Sequence, residues 1–334
     1  MATINSYTLF HITHSFSILK KIITKGLRYS YSLEKTDTET AIIQEIGHIS
    51  GFSDRKLQEN RLKGNPETNV AIPMICFCDI PLLRIEDHCK KYGKFAIGLD
   101  KELISDLYNN QINPIWYLES KNTCNFKKNY SIINYYNQKY ICDLLQDKHF
   151  LDDLSKDKKS INILIKNMIK YEDTKTFVEK VLPKTSEPLK SLMEITVRNM
   201  NTKILSNYIL GYTKPRIVNN TSYYDEREWR GLLPDDEDIA KWKWDIDQKY
   251  FDLHKKEWND SLDKNKEFGH IILTSELLND AITHIIVDTD KKIPDVINYI
   301  MKTKSIFGAS DISREQRLIL ISKITSFERI NKDL

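Results

Sequence analysis

LFHITHSFSILKKIITKGLRYSYSLE (Leu9–Glu34) sets out a strand, a helix and a second strand in succession. Tyr7, Leu9 and Phe10 form a short apolar run that ends at His11. Thr13 or Ser15 can cap the helix that follows, because a side-chain oxygen there accepts from an orphan N–H of the first turn. Phe16, Leu19, Ile22 and Ile23 recur at helical spacing. Gly26 falls where a left-handed residue closes a helix. Leu27–Leu33 alternates apolar and polar like a strand that ends at Glu34.

Outward from this block, residues 35–69 are polar, with an apolar island at Ala41–Ile46 that predicts a helix between loops. Val70–Leu83 is the most apolar segment and predicts a buried strand broken by Pro73 and Pro81. Short elements follow: a helix at Ile85–Tyr92, a strand at Lys94–Leu99, a helix at Lys101–Tyr108 and a strand at Asn113–Glu119. Residues 120–212 change character, with Ile161, Ile165, Met168 and Ile169 at helical spacing. Strand and turn character returns over Tyr212–Leu233. Residues 235–267 are charged but carry Trp242, Trp244 and Trp258, which predicts an amphipathic helical element. Strands are expected at His270–Leu273 and Ala281–Val287, a helix near Ile293–Met301 and a closing strand at Arg317–Ile324.

Composition narrows the possibilities. With 40% hydrophobic residues in 334, the chain can bury a core, and general disorder is excluded. Fifty Lys+Arg against 47 Asp+Glu leave a net charge of +3, short of the excess a strongly basic nucleic-acid binder carries. No apolar run approaches the roughly 18 residues that span a bilayer. The N-terminal MATINSYTLFHITH lacks the basic and apolar regions of a secretory signal, so a cytoplasmic protein without membrane attachment is expected. Cys76, Cys78, Cys89, Cys124 and Cys142 show no C-x-x-C spacing, which suits reduced thiols. Phosphate-binding loops, dinucleotide fingerprints and hydrolase elbows are absent as motifs.

Three constellations could carry chemistry. His11 and Thr13 share one face of a strand end, ahead of a helix N-terminus that favours anions. They either face one ligand or cap the sheet and the helix, and periodicity alone favours the capping roles. No third ligand stands at a recognisable distance from His11 and His14, so no metal is expected. In YYDEREWR (Tyr223–Arg230), a strand would put Tyr224, Glu226 and Glu228 on one face, the carboxylates roughly 7 Å apart. Such a pair serves acid–base work or stabilises a cation. The plainer alternative is an exposed strand with Arg227 and Arg230 as ion-pair partners. In IPMICFCDIP (Ile72–Pro81), Cys76 and Cys78 read as small core residues, Asp79 as a ligand contact or a turn cap, and His88 and Tyr92 as packing or surface residues.

Several blocks together resemble a family: LFHITHSFSILKKIITKGLRYSYSLE, IPMICFCDIPL, the His88 helix, YGKFAIGL, NPIWYLES and YYDEREWRGL occur in the order seen in the AbiGi family of abortive phage-infection proteins. The resemblance covers roughly residues 8–120 and 212–300 and implies a role in phage defence. The family is commonly labelled the antitoxin half of a two-gene system. The N-terminal block is also similar to DarT-like ADP-ribosyltransferases, and that similarity implies an α+β fold with an ADP-ribosyltransferase-like split β-sheet core. Residues 1–120 and 212–334 would form the core and residues 121–211 a helical insertion.

The same similarity implies the site. His11 and Thr13 match a strand-end histidine and hydroxyl that hold the NAD ribose. Gly26, Leu27 and Arg28 lead to an aromatic against nicotinamide, Tyr29 or Tyr31. Glu228, with Glu226 before it, matches the late-strand glutamate. The implied activity is NAD-dependent ADP-ribosylation of a nucleic acid or protein target, with NAD as substrate and no metal. The rival reading is a non-catalytic, antitoxin-like partner that restrains a cognate toxin through a surface including Trp242, Trp244 or Trp258.

Overall fold

The computed structural model describes residues 6–35, 69–108, 111–118, 211–215, 217–218, 221–222, 226–234, 239–265 and 268–332. All belong to one compact unit built from Met1–Thr36, Glu67–Thr123 and Gly211–Leu334. A second unit, Asp37–Pro66 and Cys124–Leu210, lies outside the described residues, as do the helix expected near Ala41–Ile46 and most of the expected insertion at 121–211.

Among its described residues the unit is α+β, with a mixed nine-stranded sheet. In chain order its strands are β1 (Thr8–Thr13), β2 (Ser30–Lys35), β3 (Asn69–Cys78), β4 (Phe95–Asp100), β5 (Ile112–Pro114), β6 (Glu228–Leu232), β7 (Lys243–Ile246), β8 (Ile282–Val287) and β9 (Ile324–Ser326). The sheet runs β9-β8-β4-β1-β3-β6-β5, with β2 and β7 also paired to β3. Only β8 and β9 pair in parallel; the other pairs are antiparallel.

Alternation explains why the sheet is covered on both faces. Leu9, Ile97, Leu99, Ile285 and Val287 join the main core, against helices Phe16–Lys25 and Ile293–Lys302. Phe10, Ala96 and Ile286 point the other way into a smaller core with Ile85, Cys89, Phe327 and Ile330. Ser15 caps the first helix by accepting from the Ile18 N–H, and Gly26 closes it at φ 88°. An added Cβ at Gly26 would stand 2.1 Å from the Ile271 carbonyl oxygen, so both conformation and space require glycine.

β3 organises the site because it changes neighbours along its length. On one edge β1 pairs at Cys78 only, and β2 takes over from Met74 to Asn69. On the other edge β6 pairs from Cys78 to Met74 and β7 from Ala71 to Asn69. Pro73 does not break this strand, contrary to expectation. Its carbonyl accepts from Leu233 N–H on the second edge, so its missing donor faces the point where β6 ends and β7 begins.

Two further expectations are corrected. Arg317–Ile324 is not a closing strand: helix Arg314–Ser322 is set by a capping box between Ser313 and Gln316, and strand pairing starts at Ile324. The described part of 235–267 is only partly helical, with β7 and helix Gln248–Lys264 in sequence. Trp242 is buried with its indole N–H donating to the Leu233 carbonyl, because its ring belongs to the core and not to an outer face. No helix among the described residues is long and apolar enough to cross a membrane.

Gly26→Ala is expected to destabilise the unit by more than about 1 kcal/mol, since strain at positive φ adds to a backbone clash. Urea unfolding checks this; an unchanged midpoint would contradict the packing described.

Candidate active site

A cavity of about 240 Å³ opens where β1 and β2 part along β3. Ligand pockets commonly hold roughly 300–1,000 Å³, so this one suits part of a ligand and not a whole dinucleotide. Its floor is the side of β3 that carries Met74, Cys76 and Cys78; β6 adds Glu228 and Arg230, and β2 adds Ser32 and Glu34. His88 and Tyr92 reach it from helix Glu86–Tyr92.

His11 stands in the gap itself. The Cys76 carbonyl lies between the last residue paired with β1 and the first paired with β2, so no strand satisfies it. His11 Nδ1 lies 2.9 Å from that oxygen. A carbonyl only accepts, so Nδ1 carries the proton. Burial lowers the imidazole pKa, against a smaller opposing effect of this hydrogen bond. The ring is therefore neutral near pH 7, and Nε2 is an acceptor. The Phe77 ring meets it edge-on at 6.1 Å.

The carboxylates form a ladder of charge. Arg230 is 1% exposed, and each of its three guanidinium nitrogens donates a hydrogen bond. Nε donates to Glu228 at 2.7 Å, Nη1 to the Gly211 carbonyl at 2.7 Å and Nη2 to Glu34 at 3.0 Å. Lys214 Nζ donates to the other Glu228 oxygen at 2.5 Å and lies 3.8 Å from Glu226. Lys91 and Tyr92 donate to Glu226, the tyrosine at 2.8 Å. Burial pushes the Glu228 carboxyl up, but Arg230 and Lys214 outweigh it and hold the pKa at about 2. Desolvation by the surrounding cavity wall drives the Cys76 thiol well above its usual range, with Glu228 adding to the effect, so it faces the cavity, accessible from it, as neutral SH.

Glu226 and Glu228 share the cavity, but not by strand alternation. β6 begins at Glu228; Arg227 takes the left-handed conformation at φ 43°, and its carbonyl accepts from Asp79 N–H. This turn swings Glu226 inward, where His88 Nε2 lies 3.3 Å from its carbonyl. Tyr223, Tyr224 and Asp225 lie outside the described residues.

The other expected residues are not brought to the cavity. Tyr29 and Tyr31 are 2% and 3% exposed in the main core. β2 parity sends Ser32 and Glu34 to the cavity and Tyr31 to the opposite face, where its hydroxyl donates to the Lys241 carbonyl. Arg28 pairs with Asp263 at 2.7 Å. Thr13 is buried at the far end of β1, paired with Phe95. Asp79 is buried and ion-paired with Lys101 at 3.3 Å.

Sequence reasoning missed Ser32, Glu34, Lys214, His88 and Tyr92. For Ser32 and Glu34 a signal existed: the alternation of YSYSLE marks them as opposite to the tyrosines. Lys214 had none, being one lysine among many.

Two outcomes are expected from the ladder. Arg230→Met should cost about 3–5 kcal/mol, because it takes the Arg230 cation from Glu34 and leaves the buried Glu228 with Lys214 alone; a loss below about 1 kcal/mol in chemical denaturation would contradict the pairing. Glu228 has a depressed folded-state pKa, so its stabilisation is present above an unfolded value near 4.5 and lost as pH falls toward about 2. Unfolding free energies measured across that window should fall less steeply for Glu228→Gln than for the wild type; parallel curves would show that Glu228 does not contribute.

The comparisons with known proteins bear on the family. The family profile described as "Putative abortive phage resistance protein AbiGi, antitoxin" matches residues 48–288, well over half of the chain. The abortive phage resistance protein AbiGi of Lactococcus lactis subsp. cremoris is 46% identical over 54 residues. That match spans 15% of this chain and 20% of the relative's length. No solved structure matches. The chain belongs to the AbiGi family of abortive phage resistance proteins.

Proposed function

We propose that this chain is an NAD-dependent ADP-ribosyltransferase acting in phage resistance, with its centre in the cavity between β1 and β2. The observation that carries this reading is the meeting of His11 and Glu228 in one cavity, from strands far apart in the sequence. The parted sheet is then an ADP-ribosyltransferase-like split sheet, and NAD enters as substrate.

The chemistry follows from the groups present. Cleavage of the nicotinamide–ribose bond sends its electron pair to the pyridinium nitrogen, which leaves neutral, while positive charge builds on the sugar. Glu228, ionised at neutral pH, stabilises that charge, and a preorganised counter-charge of this kind is usually the largest catalytic contribution. His11 Nε2, as an acceptor, orients a ribose hydroxyl. The acceptor molecule, a nucleic acid or a protein, bonds to the sugar carbon and gives its proton to Glu226. Tyr92 supplies the ring surface that Tyr29 and Tyr31 cannot reach.

The antitoxin description favours a second reading, in which the chain restrains a cognate toxin protein. Its contact face would be helix Gln248–Lys264, where Leu253 is 76% exposed and Tyr250, His254 and Trp258 stack along one side, and not the buried Trp242.

Incubation with labelled NAD and extract of infected cells separates the two. Wild type should release nicotinamide and transfer label, and Glu228→Gln, folded by circular dichroism, should lose at least about a hundredfold in rate and lose protection. Folded wild type that does neither, together with full protection by Glu228→Gln, would overturn the transferase reading in favour of the restraining partner.

A further inference from the structure

Lys214 lines the cavity beside both carboxylates of the candidate site. Its ammonium sits between two carboxylates, 2.5 Å from Glu228 and 3.8 Å from Glu226. The neighbouring cations cannot exchange places with a ligand in the same way. Arg230 is fully buried and also holds Glu34 and the Gly211 carbonyl. Lys91 pairs with Glu226 but is not among the residues that line the cavity. Lys214 ends a flexible four-carbon stem on the three-residue strand Thr213–Pro215, and a compact ammonium of that kind is a movable point charge.

The charges of the ladder show what Lys214 does. Among the described residues, the ion pairs join three carboxylates, Glu34, Glu226 and Glu228, to three cations, Lys91, Lys214 and Arg230. His11 adds nothing, being neutral near pH 7. Without Lys214 the ladder carries one uncompensated negative charge in a poorly solvated place, which is costly. Among the described residues, Arg230 and Lys91 thus leave one of the three carboxylate charges to be matched by the Lys214 ammonium.

We infer that Lys214 is a resident substitute for a cationic group of the substrate, and that the ligand's positive charge is received between Glu226 and Glu228 by displacing the Lys214 ammonium. The inference rests on the transferase reading and deepens it: an N-substituted pyridinium is such a cation, and the charge that moves onto the sugar stays within the same carboxylate pair. Lys214 therefore competes with the substrate, and its removal strengthens binding of cations and not of neutral rings.

Calorimetric titration of the whole chain with 1-methylnicotinamide, a cation, and nicotinamide, its neutral counterpart, tests this. Lys214→Met should bind the cation at least about tenfold more tightly than wild type, since one unit charge about 4 Å away outweighs that factor at an effective dielectric of about 20. Neutral nicotinamide should bind alike to both. Lys214→Gln keeps a hydrogen-bond donor for Glu228 and carries the test if the methionine variant does not fold. Weaker or equal cation binding by the folded variant, or an equal gain for the neutral ring, overturns the inference and marks Lys214 as an anion hook or a structural group. NAD cleavage by wild type, followed in parallel, reports on the transferase reading separately: a cation gain without cleavage sinks that reading alone, and cleavage without a cation gain sinks the role of Lys214 alone.

Discussion

Arg230 carries a full positive charge at a place closed to water, and this forces the arrangement around it. A buried guanidinium has five donors to satisfy and cannot shed its proton. It recruits Glu228 from its own strand, Glu34 from β2 and the Gly211 carbonyl from the segment that leads to Lys214. Those contacts bind three distant stretches of sequence into one wall. They also fix Glu228 in its ionised form, although burial by itself would favour the acid. The electrostatics of the cavity and the pairing of the sheet are therefore one problem with one solution.

The opening arises from the way β3 is shared. An antiparallel strand of this length would ordinarily keep one neighbour on each edge. Here β1 leaves after a single pair and β2 enters further down, so the Cys76 carbonyl is left between them. His11 answers that carbonyl with its Nδ1 proton, and the same bond sets the tautomer that turns an acceptor toward the cavity. A backbone vacancy in the sheet and a candidate ribose contact thus have one cause.

Much of this was legible in the sequence. The strand, helix and Gly26 stop of the first block follow from spacing and cap chemistry, and the buried character of β3 follows from its unbroken apolar run. The meeting of His11 with Glu228 entered through resemblance to a family; spacing alone favoured a capping role for His11. Parity was decisive where residue-type reasoning went astray. Tyr31 is aromatic and well placed in sequence, but strand alternation sends it to the core and leaves Ser32 and Glu34 at the cavity. Glu226 comes to the cavity through the left-handed turn at Arg227, which alternation does not foresee. Pro73 is accommodated by an event on the neighbouring edge, the handover from β6 to β7, which no local pattern contains. LILIS near the C-terminus looks like a strand until the Ser313–Gln316 cap is counted.

Membership of the AbiGi family places the chain among abortive phage resistance proteins, and the cavity gives that membership a chemical hypothesis that the family description does not contain. The central claim is that one sugar sits between His11 and Glu228. A crystal structure with an NAD analogue that cannot lose its nicotinamide tests it most directly. The account predicts a ribose hydroxyl within hydrogen-bond distance of the Glu228 carboxylate and of His11 Nε2, with the pyridinium beside Glu226; an analogue bound elsewhere, or a cavity that stays empty at saturating analogue, would contradict it.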